Sequence, residues 1–279
     1  MSAHAEGRFV GSRRPLQILS ADDVARIHEA SLDVLAGVGV MFHSQRALDV
    51  LEAHGATVDR ETTVARIPEA AVAAALATLP AHFTLGGRTA DFDLPLDGEH
   101  VYLMSDGCAT FVRDADGTVR PSVKQDVYDA ARVVDGLPNL SATSALVSAQ
   151  DAPEESRVLH ELDACLRASR KHSVVVSIKD ATEAKPLVRM AEAVAGGAAE
   201  LKARPIFSAI LCTVSPLHQE RFGMDLAFAL AAAGIPLLLY PMPILGATAP
   251  ITPAGTAVVN NTEILAAITA VQLLSLIHI

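Results

Sequence analysis

Glu263 is the residue of this sequence whose surroundings most strongly suggest a chemical role. It is the only charged side chain from Leu226 to Ile277. An unpaired carboxylate in apolar surroundings costs free energy unless it has a partner. We therefore expect Glu263 to face a ligand, a basic residue from a further part of the protein, or the neighbouring Asn260 and Asn261. The alternative is that it marks the solvent-exposed face of a helix.

Two more candidate sites follow apolar runs in the second half of the chain. Ser215 comes before a proline, so it belongs either to a substrate loop or to the start of a helix. No His/Asp arrangement near it suggests a serine nucleophile. Tyr240 and Met242 precede a glycine- and proline-rich loop that contains Thr252. An aromatic face attracts methylammonium cations, whereas a core tyrosine is the alternative interpretation.

The remaining candidates lie earlier in the chain. Asp106 and Gly107 follow an apolar run, and a glycine there lets the backbone approach a ligand closely; an ordinary turn is the alternative. Lys171 and His172 stand just before a predicted strand, which favours a structural role. A Schiff-base lyase needs a lysine at a strand end, and Lys179 is the nearest such residue.

Composition narrows the class of partner. The net charge is −10 and the pI is near 5.4, without a Lys/Arg-rich stripe, so we expect no nucleic-acid partner. An acidic surface suits a cationic substrate or is simply solvated. The cysteines, Cys108, Cys165 and Cys212, have no metal-ligand spacing, so we expect reduced, packed thiols and no metal site.

The sequence does not predict a membrane protein. The N-terminus lacks the apolar run of a signal peptide. The stretch from Leu226 to Thr262 is uncharged, but glycines and prolines interrupt it, so no apolar span of about 20 residues remains there. We expect a cytoplasmic protein that forms a homo-oligomer.

The elements that would position these residues change character near residue 120. Residues 1–119 form a region rich in helices and short β-strands, with helices near 20–38, 44–54 and 68–80. From residue 120, strands alternate with helices, as in an α/β fold. The predicted strands are short apolar runs typical of a parallel sheet. They are Ala142–Ser148, Ser173–Ile178, Ile206–Thr213 and Pro236–Tyr240, followed by helices over 154–169, 182–195, 216–233 and 255–273.

This alternation fits half of a β/α barrel, and it also fits an open doubly wound sheet. No glycine-rich nucleotide fingerprint follows any predicted strand, which counts mildly against a dinucleotide-binding sheet. In a barrel, functional groups follow the carboxyl ends of the strands. That rule places Asp106, Ser215 and Tyr240 on the functional side.

Several phrases, in order from about residue 17 to residue 273, resemble the trimethylamine methyltransferase family. They are IHEASLDVLAGVGVMFHSQRALDVLEAHGATVD (27–59), IPEAAVAAALATLPAHFTLGGR (67–88), MSDGCATFVRDADGTVRPSVKQD (104–126), RPIFSAILCTVSPL (204–217) and PMPILGATAPITPAGTAVVNNTEILAAITAVQLL (241–274).

The resemblance implies a partial (β/α)8 TIM barrel over residues 120–273 and a corrinoid-dependent methyltransferase. Such an enzyme moves a methyl group from a methylated amine, such as trimethylamine or glycine betaine, to the cobalt of a corrinoid (cobalamin) carried by a partner protein. Some family members use pyrrolysine, encoded at an in-frame stop codon. Other β/α-barrel enzymes, including a pterin-linked methyltransferase, and a non-catalytic protein that binds quaternary amines are the alternatives.

The end of the sequence is unusual. Its last six residues, LSLIHI (274–279), resemble translated sequencing adapter, and they follow a helix without a capping glycine. We therefore expect a C-terminally truncated fragment whose catalytic residues lie in the missing half. From residues 1–273 alone we expect no turnover and poor solubility, because half a barrel exposes sheet edges.

Overall fold

The computed structural model describes residues 9–10, 17–176 and 178–275, which fold into two compact units. Unit 1 comprises residues 1–15, 81–210 and 233–237, and unit 2 comprises 16–80, 211–232 and 238–279. Residues 1–8 and 11–16, Ser177 in a predicted strand, and residues 276–279 of the predicted adapter lie outside the described residues. The three sequence segments 1–119, 120–273 and 274–279 stay a prediction.

The helices of unit 1 are α4 to α7, and those of unit 2 are α1 to α3, α8 and α9. Along the chain they are α1 (Ala21–Gly37), α2 (Gln45–Ala53), α3 (Glu69–Leu76), α4 (Lys124–Gly136), α5 (Arg157–Ala168), α6 (Ala184–Ala195), α7 (Ala198–Ala203), α8 (Arg221–Ala232) and α9 (Pro253–Ser275).

The strands are short. They are β1 (Phe9–Val10), β2 (Val40–Phe42), β3 (Thr57–Asp59), β4 (Val64–Arg66), β5 (Phe83–Leu85), β6 (Leu94–Leu96), β7 (His100–Val101), β8 (Phe111–Arg113), β9 (Val119–Pro121), β10 (Ala142–Ser144), β11 (His172–Val175), β12 (Phe207–Cys212), β13 (His218–Gln219) and β14 (Leu237–Tyr240).

A four-stranded sheet in the order β10-β11-β12-β14 confirms the predicted α/β class. The β10-β11 and β11-β12 pairs are parallel, with Thr143 opposite Ser173 and Ser173 opposite Phe207. An isolated parallel bridge joins Met104 to Ala142. Within the described residues the sheet is open, and a closed barrel is not observed.

Both faces of the unit 1 sheet are covered, in agreement with the burial of every residue of β10 and β11. One core cluster joins residues of α4 and α5, such as Val127 and Cys165, to the segment after β10. The other joins Val174 of β11 to Leu85 and Leu94 of the antiparallel β5-β6 hairpin. The carboxyl ends of the strands are left for loops.

Unit 2 is built around α9. This long apolar helix packs against α1, α2, α3 and α8. A second sheet, in the order β13-β2-β4-β3, lies in the same unit. By length and composition α9 is the one described helix that could cross a membrane, but more than half of that span is buried, as in a core helix of a globular protein.

Several predicted boundaries are wrong. The helix predicted from Pro216 begins at Arg221, because residues 218–219 form β13 instead. Among the short strands predicted before residue 120, a 3-10 turn occupies Ala90–Phe92 and β6 begins at Leu94. The strand predicted over 142–148 ends at Ser144. The three-residue strands β2, β3 and β4 were too short to give a periodic signal.

Candidate functional site

Glu263 lies in α9 and its side chain is fully buried, so the solvent-face interpretation is wrong. One carboxylate oxygen, Oε2, accepts hydrogen bonds from the hydroxyls of Thr213 and Ser215, the latter at 2.9 Å. The other, Oε1, accepts from the backbone N–H of Leu217 at 2.9 Å. The carboxylate therefore joins α9 to the loop that follows β12.

The same loop is fixed at two further points. Leu217 has a φ of 60°, a left-handed conformation that a bulky residue adopts only when its surroundings hold it there. The side-chain amide of Gln219 donates to the backbone carbonyl of Glu263 at 2.9 Å. The cavity beside Thr213 and Gln219 measures only about 10 Å³, so this side of the network is closely packed.

The other partners expected for Glu263 are not those observed among the described residues. The side chain of Asn261 donates to the hydroxyl of Ser31 at 3.0 Å instead. Glu263 forms no salt bridge with any basic side chain in the described ranges. Its charge is met by hydroxyl and amide donors alone.

Ser215 does not cap a helix, because the next helix begins only at Arg221. It is partly buried and lies just after the carboxyl end of β12. Of its two predicted roles, the loop position is the one that the structure supports.

Tyr240 ends β14 and is 55% exposed, and Met242, two residues later, is 56% exposed. The amide of Ala209 donates to the carbonyl of Pro236 at 3.1 Å. In a parallel ladder this bond places Cys212 beside Tyr240. The interpretation of Tyr240 as a core residue is therefore wrong, and its ring is open to solvent at a strand end.

Thr252 has a structural contact. Its hydroxyl accepts the amide N–H of Gly255 at 3.3 Å, and its carbonyl accepts that of Thr256 at 3.0 Å. With Pro253 as the first residue of α9, Thr252 is the N-cap of that helix.

Asp106 and Gly107 lie in unit 1, next to the end of β10. The carboxylate of Asp106 is exposed and accepts the amide of Gly107 at 2.9 Å. A Cβ at Gly107 would lie 2.2 Å from the carbonyl oxygen of Ala145. The hydroxyl of Ser144 donates to the Ser105 and Asp106 carbonyls at 2.8 and 3.0 Å. The glycine is thus required by close backbone packing.

Lys171 and His172 have structural contacts, as their position at the start of the predicted strand suggested; His172 is itself the first residue of β11. The ammonium of Lys171 donates to the carbonyls of Val134 and Leu137, at 2.6 and 2.7 Å, at the end of α4. Its neighbour Arg170 pairs with Asp135 at 2.8 Å. Burial lowers the pKa of Lys171.

His172 is fully buried, with Nδ1 2.9 Å from the carbonyl of Gly86 and Nε2 2.9 Å from the hydroxyl of Ser208. The carbonyl can only accept, so Nδ1 carries the proton and the hydroxyl of Ser208 donates to Nε2. Burial lowers the pKa of His172 to about 4, so the ring is neutral at pH 7.

Two further glutamates, which were not predicted as site residues, are buried. Glu161 of α5 accepts the Ser148 hydroxyl at 2.8 Å and the Ala149 amide at 3.1 Å. Glu183, just before α6, accepts the Lys179 amide at 2.7 Å. Burial raises the pKa of Glu183. The available signal for Glu161 was its place among apolar positions of a helix.

The three cysteines are free thiols. Cys165 is buried, and burial raises its pKa to about 12, so it fits the predicted packing role. Cys212 is exposed at the end of β12, which the packing prediction did not anticipate. Across the described ranges, no group of three His, Cys, Asp or Glu side chains could hold a metal ion.

A groove of 910 Å³ lies elsewhere in unit 2, between the start of α1 and the start of α9. Apolar side chains such as Leu19, Ile27 and Val258 line it, with Asp23 and Asp33 among its polar residues. None of the predicted site residues lines it, so it is separate from the strand ends.

Comparison with known proteins gives a consistent result. The model of the trimethylamine methyltransferase (MTTB) family matches residues 2–276. The chain is 33% identical over 257 residues to trimethylamine methyltransferase MttB of Desulfitobacterium hafniense strain DCB-2, an alignment that covers 92% of this chain and 52% of the relative. It is 32% identical over 265 residues to MttB1 of Methanosarcina acetivorans, covering 92% and 53%.

A third relative is named for a different donor. The chain is 27% identical over 256 residues to the glycine betaine methyltransferase of Desulfitobacterium hafniense strain Y51, covering 91% of this chain and 53% of the relative. The chain thus spans about half the length of the curated relatives that it matches.

Proposed function

The chain belongs to the trimethylamine methyltransferase family, and we propose from that premise that the whole protein moves a methyl group from a methylated amine to a corrinoid. The donor is a tertiary or quaternary amine of the trimethylamine or glycine betaine type. The acceptor is Co(I) of a corrinoid carried by a separate partner protein, which therefore acts as a second substrate.

The observation that carries this proposal is the similarity itself, which extends over residues 2–276. It includes relatives named for trimethylamine and one named for glycine betaine. The parallel strands, with helices between them, support a (β/α)8 barrel for the whole protein. We propose a cytoplasmic enzyme, because three free thiols suit a reducing compartment.

The reaction needs little covalent chemistry from the protein. The C–N bond breaks with its electron pair left on nitrogen, the carbon bonds to cobalt through the electron pair of Co(I), and the demethylated amine leaves. The protein must hold the donor carbon in line with the acceptor and exclude water. Without a nucleophilic side chain to activate, no catalytic triad is required.

The described residues would supply one part of the donor site. Ser215, Tyr240 and Met242 follow the carboxyl ends of β12 and β14, the functional side of a β/α barrel. In unit 1, Asp106 and Gly107 lie beside the end of β10 and remain separate candidates from the sequence. Thr252 contributes by starting α9, which carries Glu263.

The test uses the full-length gene recovered from source DNA. The purified protein is mixed with a purified corrinoid protein, reduced to Co(I), and with trimethylamine or glycine betaine. We expect one demethylated amine per corrinoid, detected by mass spectrometry, together with the absorbance change of corrinoid methylation. Folded protein that forms neither product with any methylated amine would refute the proposal.

A further inference from the structure

Glu263 is a buried carboxylate for which the described part of the chain supplies no basic partner. Its carboxylate contacts two hydroxyls and one amide, and it makes no salt bridge there. A buried carboxylate that is not balanced by an opposite charge is costly to retain. Its surroundings therefore favour a positive charge held nearby.

The hydrogen bonds to Glu263 also fix the direction of the hydroxyl groups. An ionised carboxylate only accepts, so the hydroxyl protons of Thr213 and Ser215 point at Glu263. What remains on each hydroxyl oxygen is acceptor capacity. Ser215 is partly buried rather than sealed, so its oxygen can present a lone pair to a group outside the loop.

The loop follows β12, and the neighbouring strand β14 ends in an aromatic residue. Ser215 is three residues beyond the end of β12, and Cys212 at that end lies beside Tyr240 of β14. The Tyr240 ring is exposed. Aromatic faces and oxygen acceptors both attract ammonium groups.

We infer that Glu263 is a positioning residue that orients Ser215 to accept the cationic ammonium head of the amine donor. This inference rests on the proposed function for the class of donor, and it deepens it: the donor binds as a cation, protonated trimethylamine or a quaternary amine. Glu263 acts through the hydroxyl and the buried charge, without contacting the donor.

The test measures binding to the full-length protein by calorimetry, with pairs of probes that differ in charge. Glycine betaine is paired with 3,3-dimethylbutanoate, which keeps the carboxylate but has an uncharged tert-butyl head. Trimethylammonium is paired with tert-butanol. The wild type is compared with Glu263→Gln, which keeps the shape but removes the charge and adds an N–H donor, and with Ser215→Ala, which carries little risk to folding.

Gln272→Met is the matched control. Gln272 lies in the same helix, is buried, and accepts a hydrogen bond from the Thr78 hydroxyl at 2.9 Å. We expect the wild type to prefer the cation of at least one pair. Glu263→Gln and Ser215→Ala should each reduce that preference about tenfold, with binding of the uncharged probe unchanged and with Gln272→Met indistinguishable from wild type.

Two results would overturn the inference. One is a wild type that shows no preference for either cation over its uncharged partner. The other is a Glu263→Gln variant that keeps the preference, or that weakens the binding of both members of a pair equally. A wild type that prefers the cation and loses that preference in Glu263→Gln, yet transfers no methyl group, would refute the proposed reaction and leave this inference standing.

Discussion

Glu161 in unit 1 and Glu263 in unit 2 each anchor the loop that follows a strand. Each is a buried helical carboxylate that accepts a serine hydroxyl and a backbone amide from the loop after a strand of the parallel sheet. Loops that would otherwise be mobile are thereby fixed to a helix. A buried carboxylate suits this task because it can accept several hydrogen bonds at once.

The two sites differ in what lies in front of the carboxylate. Ser148, whose hydroxyl donates a hydrogen bond to Glu161, is itself buried. Ser105 and Ser144, beside Gly107, are buried as well. In front of Glu263, Ser215 is partly exposed and Tyr240 is open. The same device therefore closes a core in unit 1 and supports an accessible surface in unit 2.

The largest expected loss of stability comes from replacing Glu161 in unit 1. Glu161→Leu leaves a buried hydroxyl and a buried amide without acceptors, so the free energy of unfolding should fall by about 4 kcal/mol. Urea unfolding of the full-length protein measures this change, which should be the same with and without bound amine. Glu154→Gln, which removes an exposed pair with Lys179, should change it by less than about 1 kcal/mol. Equal losses in both variants would contradict the comparison.

Acid should weaken unit 1 through His172. Its folded pKa is about 4, against 6.5 ordinarily, because burial disfavours the charged ring. As the pH falls from about 6.5 to about 4, the unfolded chain binds a proton that the folded chain does not, so stability is lost over this window. The loss from this group is about 3 kcal/mol.

Unfolding free energies measured across this pH range test the assignment. In His172→Gln the dependence on pH should be flatter by that amount. His54→Gln, at an exposed position, is the control for replacing a histidine outside the core. An unchanged slope in His172→Gln would show that acid acts elsewhere.

Glycine substitutions sharpen the contrast between closed and open loops. Gly107→Ala places a methyl group against the carbonyl of Ala145 and should cost about 2 kcal/mol. Gly246→Ala, in the unit 2 loop after Tyr240, meets no atom closer than 3.7 Å, so only its φ of 74° opposes the substitution, at about 1 kcal/mol. Gly136→Ala, with open space around it, is the control. Thermal unfolding that ranks Gly246→Ala above Gly107→Ala in cost would contradict the close packing of unit 1.

The smallest effect concerns the helix that carries Glu263. Thr252→Ala removes the N-cap of α9 and should cost about 1 kcal/mol. Faster hydrogen exchange at the amide of Gly255 would report the loss. Thr252→Ser, which keeps the hydroxyl, should exchange like the wild type. Similar exchange in all three proteins would show that the cap is not needed.

The parallel sheet was predictable because short segments rich in apolar residues, such as 206–213 and 236–240, contain its strands β12 and β14. The helix predicted after Ser215 began too early because a serine before a proline also resembles a helix start. The pairing of residues 218–219 with β2, which prevents that helix, depends on a segment far away in the chain. Local sequence carries no record of that contact.

Of the two buried glutamates that anchor loops, only Glu263 was predictable from the sequence. Glu263 was found because it stands alone in a long uncharged stretch, which makes its burial visible from the sequence. Glu161 was missed because helix α5 also carries charged residues that face solvent, such as Arg167, so its glutamate resembled them. The partners of Glu263 could not be predicted, because the turn that brings Leu217 to it is set by tertiary packing.

Arg170 and Lys171 form a dibasic pair, the kind of sequence that trypsin cleaves when it can reach the backbone. Here Arg170 is held by Asp135 and lies over the ring of Phe92, and Lys171 is buried against the end of α4. A protease can reach this bond only after β11 detaches from its surroundings. The rate of tryptic cleavage after Arg170 or Lys171 would therefore report how readily unit 1 opens.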